Sequence, residues 1–313
     1  MQRYRAPRWL AGAGPVAGNV QTIWPALYSR VHPEQRIGQV RYVRERWDTP
    51  DGDFIDVDFL PAGAGTPSPR PLLVMFHGLE GSSQSHYSRA FALWAHAQGW
   101  DFAVPHFRGC SGEINRAPRT YHSGDHAEAD WILQRLARRH AGPVLAVGIS
   151  LGGNVLLRWA QEAGADAGRT VRAVVAISSP VDLAAAGHAL AKGFNLQIYT
   201  RMFLQSMKPK ALAKLQQHPG LFDREALLRA RDLVLQAASD TVGPAGRQAI
   251  AADRERLGRE LEVVGEVARP GARRHDGVAR LGRPDQAARA VRRVAVFEDL
   301  VGDNLVLKRV HDF

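Results

Sequence analysis

Apolar and polar positions change period regularly along the first 180 residues. QVRYVRERWDTPDGDFIDVDFLP (39–61) alternates the two types on either side of Pro50, Asp51, Gly52 and Asp53, which predicts a β-hairpin closed by a turn. PLLVMFHG (71–78) is an apolar run that ends in glycine, the pattern of a buried strand. SHYSRAFALWAHAQGW (85–100) has apolar residues at helical spacing and a stop near Gly99. The alternation continues through strand DFAVPHFRG (101–109), helix DHAEADWILQRLARRH (125–140), strand GPVLAVGIS (142–150), helix LGGNVLLRWAQEAG (151–164) and strand VRAVVAISSP (171–180).

Strands alternating with helices of this length predict a mostly parallel sheet with helices on both faces. Such sheets take ligands at the carboxyl ends of their strands. From residue 181 the alternation stops, and residues 181–232 read as amphipathic helices, the pattern of an inserted cap or lid. From 233 the composition turns to Ala, Arg, Gly and Glu, and no Trp or Tyr follows Tyr199. The predicted organisation is a core with an N-terminal hairpin over 1–180, a helical cap over 181–232, and an atypical segment over 233–313.

Composition adds limits. With 313 residues, 45% apolar and 23% charged, the chain reads as a soluble globular protein. It holds no run of about 18 apolar residues, so no membrane span is expected. The N-terminal stretch has no sustained apolar core, so no secretory signal is expected. Cys110 is the single cysteine, which suits a cytoplasmic location. The net charge of +10 comes from arginine spread along the whole chain, and no nucleic-acid partner is expected. MKPKALAKLQQH (207–218) is the densest lysine cluster. It reads as one basic helix face suited to peripheral contact with a lipid interface.

Three segments carry candidate chemistry, each after a predicted strand. LAVGISLGGNVLL (145–157) contains Gly148-Ile149-Ser150-Leu151-Gly152, a G-x-S-x-G pattern between strand and helix. That context predicts a sharp turn presenting Ser150 as a nucleophile, with Gly148 and Gly152 small to avoid the neighbouring strand and helix. The alternative is a serine that simply N-caps the helix. HGLEGSS (77–83) supplies the second element. Acyl transfer needs backbone N–H groups aimed at the developing oxyanion, and Leu79 and Leu151 are the candidates. Gly78 and Gly81 let the loop approach, and His77 reads as a structural histidine that orders it. HFRGCSGEINRAPRTYHSGD (106–125) is the third. Arg108, Glu113, Tyr121 and His122 are expected to hydrogen-bond to one another under the pocket, and Cys110 has no activating context.

In this order, HGLEGSS, FRGCSGEINRAPRTYHSGD and GISLGGNVLLRW resemble the α/β-hydrolase fold, and more narrowly the YheT-like esterases, whose eukaryotic relatives are membrane-associated lipases and esterases. GNVQTIWP (18–25) resembles the same family's N-terminus. The resemblance runs from about residue 5 to about 232. It implies a small-molecule carboxylic ester substrate, no cofactor or metal, and a Ser–Asp–His triad in that chain order. The family's acid strand and histidine turn are not evident after 232. LVLQAASDTVGP (233–244) offers Asp240 as the acid, with Asp182 as a second candidate, and His275 in GARRHDG is offered as the base. The last strands are expected to be missing or atypical, as an altered reading frame or another non-homologous replacement would leave them.

Overall fold

The computed structural model describes residues 19–20, 22–24, 26–27, 41–63, 68–231 and 294–297. These fall into two compact units. One holds 114–120 and 180–231, and the other holds the rest.

The first unit is built on a seven-stranded sheet, with strands β1 (Val43–Asp48), β2 (Phe54–Leu60), β3 (Leu72–Phe76), β4 (Asp101–Pro105), β5 (Val144–Ile149), β6 (Ala173–Ile177) and β7 (Val294–Phe297). Their spatial order is β1-β2-β4-β3-β5-β6-β7. The pairs β1–β2 and β2–β4 are antiparallel, and every pair from β4 to β7 is parallel. Helices α1 (His86–Ala97), α2 (His126–Arg139) and α3 (Leu151–Ala163) link the parallel strands. β7 comes from the segment whose strands were expected to be missing or atypical, and it pairs with β6 from Val174↔Val294 to Ile177↔Phe297.

β3 shows why this sequence takes this fold. All five of its residues are buried. Side chains alternate across a strand, so Leu72, Val74 and Phe76 enter one core with Leu133 and Leu136 of α2 and Leu156 and Trp159 of α3. Leu73 and Met75 enter the other core with Ala92 and Ala95 of α1. Each large apolar side chain so buried contributes about 1.5–3 kcal/mol.

The hairpin's carboxylates Asp56 and Asp58 are buried as well, and exposed arginines cover them. In the β1–β2 register Arg44 faces Asp58 and Arg46 faces Asp56. Arg44 grips Asp58 with two hydrogen bonds of 2.7 and 2.9 Å, and Arg46 grips Asp56 at 2.8 and 2.9 Å. Such planar two-point pairs are among the stronger charge contacts.

A third arginine was expected to bond within its own loop, and the structure corrects this. Arg108 is buried and donates to Asp53 at 2.8 Å and to Glu128 of α2 at 2.7 Å, with Asp51 at 2.9 Å. Glu113 takes Arg46, Tyr121 takes Glu80, and the His122 ring accepts from Gly124 N–H. The four do not form one cluster, because Arg108 has three carboxylates nearer to hand on the hairpin turn and on α2.

The second unit contains α4 (Leu183–Leu190), α5 (Arg201–Gln217) and α6 (Arg224–Arg229). Gly193–Asn195 and a π turn, Leu196–Thr200, lead into α5 without a break. The lysines of 207–218 do not share one face as expected. The Lys214 Nζ is buried and donates to the Asn115 and Ala117 carbonyls and to Gln217 Oε1. Lys208 and Lys214 are six residues apart, and a helix turns about 100° per residue, so the two cations diverge.

Arg108→Ala should leave Asp53 and Glu128 buried without their cation, and we expect it to cost about 3–5 kcal/mol. Urea denaturation followed by tryptophan fluorescence measures this. An unchanged midpoint would sink the assignment of Arg108 as the hub of a buried network.

Candidate active site

β5 ends at Ile149 and α3 starts at Leu151, so Ser150 alone makes the connection. Its φ of 52° and ψ of −115° lie where non-glycine residues sit only at a cost of about 1–3 kcal/mol. Backbone bonds hold it there. Ser150 N–H donates to Ile177 O at 2.8 Å, and the Gly153 and Asn154 N–H groups reach back to Ser150 O at 2.9 and 3.1 Å.

The turn is this tight because glycines surround it. A Cβ on Gly148 would lie 2.4 Å from Gly152 O, and one on Gly152 would lie 2.2 Å from Phe76 O at the end of β3. No real Cβ tolerates either approach. Gly153, which the sequence pattern did not single out, is as crowded: its Cβ would meet Ser179 Oγ at 1.8 Å. Ser150 occupies the N-cap position of α3, but its side chain makes no cap hydrogen bond. The hydroxyl is therefore not used to start the helix.

The loop after β3 lies beside this serine. A Cβ placed on Gly78 would sit 3.5 Å from Ser150 Cβ. That is ordinary contact, so glycine here is not forced by collision; it keeps the space next to Ser150 clear. Gly81 is forced, since its Cβ would lie 2.3 Å from the Tyr87 hydroxyl. Leu79 follows Gly78 in the loop, and Leu151 is the first residue of α3. Among the hydrogen bonds of the described residues, neither of their N–H groups has an acceptor.

Six side chains hold the loop in place. His77 is fully buried, with its Nδ1 2.8 Å from Gly78 O and its Nε2 3.1 Å from the Phe107 N–H. The carbonyl needs a donor and the N–H needs an acceptor, so the proton is assigned to Nδ1. Both ring nitrogens are thus committed to backbone, as a structural histidine requires. Tyr87 accepts from Gly78 N–H at 3.0 Å. Tyr121 accepts from Glu80 N–H and donates to Glu80 Oε1, both at 2.9 Å, while stacking on Phe107. Burial raises the pKa of both phenols, so they stay protonated at neutral pH. Ser83 donates to Asp58 at 2.6 Å, and the same carboxylate oxygen lies 2.9 Å from His106 Nε2.

Sequence reasoning missed Tyr87, Asp58 and His106 here. Asp58 meets Ser83 and His106 across 25 and 48 residues of sequence, and Tyr87 reaches Gly78 from the next helix, which a local pattern does not reveal. One signal was available: Asp58 sits in an otherwise apolar DVDFL run, and a carboxylate in such a strand needs partners.

Glu80, Ser150 and Ser178 are the non-glycine residues with positive φ among the described residues. They follow β3, β5 and β6, three adjacent strands of the sheet. Strain of this kind concentrates at functional sites. Asp182 instead caps α4 in the second unit, its Oδ1 accepting from Ala185 N–H at 2.8 Å. Asp240 and His275 lie outside the described residues. Cys110 is buried. No His/Cys/Asp/Glu group suited to a metal occurs among the described residues, and no described helix is long and apolar enough to cross a membrane.

Comparison with known proteins gives the family. Residues 71–256 match the model of the alpha/beta hydrolase fold family, and the chain belongs to that family. It is 41% identical over 208 residues to "Putative esterase YheT" of Escherichia coli, covering 64% of this chain and 57% of that protein. It is 24% identical over 240 residues to "Embryogenesis-associated protein EMB8" of Picea glauca, covering 70% and 49%. It is 28% identical over 130 residues to "Phospholipase ABHD3" of Homo sapiens, covering 40% and 32%. The chain thus spans 57% or less of the length of each of these relatives. Among solved structures, Est1E from Butyrivibrio proteoclasticus is similar at 17% identity and a TM-score of 0.36, covering 49% of this chain and 56% of its own.

Two predictions concern the elbow and the loop. Gly152→Ala drives a methyl into the Phe76 carbonyl, and we expect a loss of about 1–3 kcal/mol or more, read as a lower melting temperature. An unchanged melting temperature would contradict the contact. Asp58 supplies the pH dependence. Burial acts to raise its pKa, but hydrogen bonds from Arg44, His106 and Ser83 outweigh it and hold the carboxyl well below the usual range. A depressed carboxyl stabilises the fold above its unfolded pKa, near 4, and that stability is lost as pH falls. Melting temperatures measured between pH 6 and pH 3 (roughly, spanning the unfolded value) should drop more steeply for the parent than for Asp58→Asn. Equal slopes would remove Asp58 from this role.

Proposed function

We propose that this protein hydrolyses carboxylic esters through an acyl-enzyme formed on Ser150. One observation carries the reading. Ser150 is held at positive φ on the β5–α3 turn, beside the Gly78 backbone, with a hydroxyl that makes no helix cap. The likeness to an esterase-named relative supports the same class of reaction.

In this reading Ser150 Oγ attacks the ester carbonyl, and the oxygen of the tetrahedral intermediate is held by the N–H groups of Leu79 and Leu151. Preorganised donors of this kind typically lower a barrier by about 3–4 kcal/mol each. The space that Gly78 leaves open accommodates the carbonyl. A histidine takes the serine proton and returns it to the leaving alcohol, and an aspartate fixes that histidine's tautomer. His275 and Asp240 are the residues the sequence offers for these roles. Water then attacks the acyl-enzyme, releasing the acid and restoring Ser150. No cofactor enters any step. Short- and medium-chain esters and acylglycerols are the proposed substrates, and the cytoplasm is the proposed location.

The test uses the full chain, a fluorophosphonate probe, and p-nitrophenyl acetate and butyrate. The parent should be labelled and should turn over both esters. Ser150→Ala should lose all labelling, with kcat falling on the order of 10⁶-fold, as for the catalytic serine of another enzyme. A folded parent that is neither labelled nor active would replace this reading with that of a binding scaffold.

A further inference from the structure

The second unit exposes one continuous helix face whose chemistry the proposed reaction does not use. Residues 193–217 are helical without a break. Phe194, Gln197, Ile198, Arg201, Met202, Gln205 and Pro209 are among their exposed positions, and spacings of three and four put these on one side. Thr200, Leu204, Ala211 and Lys214 are buried on the opposite side.

The exposed side is apolar where a soluble helix would be polar. Phe194 is 54% exposed, Ile198 40% and Met202 44%. A single exposed apolar residue is ordinary. Three in succession at i, i+4 and i+8 make a strip about 12 Å long.

The helix itself carries charge of one sign, and Asp182 and Asp223 flank the stretch. Residues 183–222 contain five Lys and Arg and no Asp or Glu. Arg201 lies between Ile198 and Met202 along the strip, and Lys192 is exposed just before its start. At the far end, Arg201, Leu204, Gln205, Lys208 and Pro209 line a cavity of about 540 Å³. Among the described residues, Lys208 Nζ donates to Leu228 O at 2.9 Å. The Leu228 side chain, beside that carbonyl, is also exposed.

We infer that this face seats the protein on an anionic phospholipid surface. Phe194, Ile198 and Met202 enter the boundary between headgroups and acyl chains, as the apolar face of an interfacial helix does. Arg201 and Lys208 pair with headgroup phosphates. A second copy of the chain fits less well, because it would bring these cations against their own kind. The site is not the lysine cluster at 207–218, whose Lys214 is turned inward. It is the stripe one to four turns earlier.

Cosedimentation of the full chain tests this, with phosphatidylcholine vesicles prepared with and without phosphatidylglycerol. The parent should pellet with the anionic vesicles far more than with the neutral ones, and high salt should release it. Phe194→Ser combined with Ile198→Ser should weaken the partition at least about tenfold. Arg201→Glu should weaken it roughly fivefold or more. Circular dichroism and melting temperature should match the parent, since all three side chains are exposed. Three outcomes would overturn the proposal: no pelleting of the parent with anionic vesicles, equal pelleting with both kinds, or variants that bind like the parent. A stable dimer that Phe194→Ser dissociates would also overturn it, by assigning the face to protein contact.

Discussion

The crowding of backbone where β5 meets α3 is the constraint on which the rest of the site depends. A helix leaves a central strand here through a single residue. That is possible only if the residues two before and two after it have no side chain. Gly148 then admits the first turn of α3, and Gly152 lets that turn pass over the end of β3. Ser150 is left at positive φ with a side chain that makes no cap hydrogen bond. The cost of that conformation is carried by three backbone hydrogen bonds and by a sheet buried on both faces.

The loop beside the serine is held in a different way. It contains little regular structure, so side chains from outside it do the work that a ladder of hydrogen bonds does in a strand. Tyr87 and Tyr121 satisfy the Gly78 and Glu80 N–H groups, and Asp58 holds Ser83. Asp58 is in turn neutralised by Arg44 across the hairpin register. The antiparallel hairpin, remote from Ser150 in sequence, thus contributes to how firmly the candidate oxyanion donors are placed. A carboxylate so deeply buried is tolerable only because each oxygen has a partner.

The second unit obeys other rules. Its one deeply buried lysine uses backbone carbonyls as acceptors and so fixes residues 114–120 against α5. Its exposed helix face keeps apolar side chains in water on a helix that carries no acidic residue. The first arrangement stabilises the fold. The second leaves surface free energy that contact with a lipid headgroup layer would recover.

How much of this was legible in the sequence depends on the range of the interaction. The strands and helices of the first 180 residues were readable because apolar periodicity is local and the parallel sheet is buried on both faces. The turn that carries Ser150 was readable because the glycines that permit it lie two residues to either side in sequence. Arg108, Lys214 and Asp58 were misjudged or missed because their partners lie 20 to 99 residues away. Local pattern cannot rank a distant carboxylate or carbonyl against a nearer loop residue. The sequence by itself determined the alternation of strand and helix, the glycine-framed serine and the basic, acid-free stretch at 183–222. Only the tertiary structure decided which charges are buried, which lysine turns inward and which helix face meets solvent, since each of these depends on packing between distant segments.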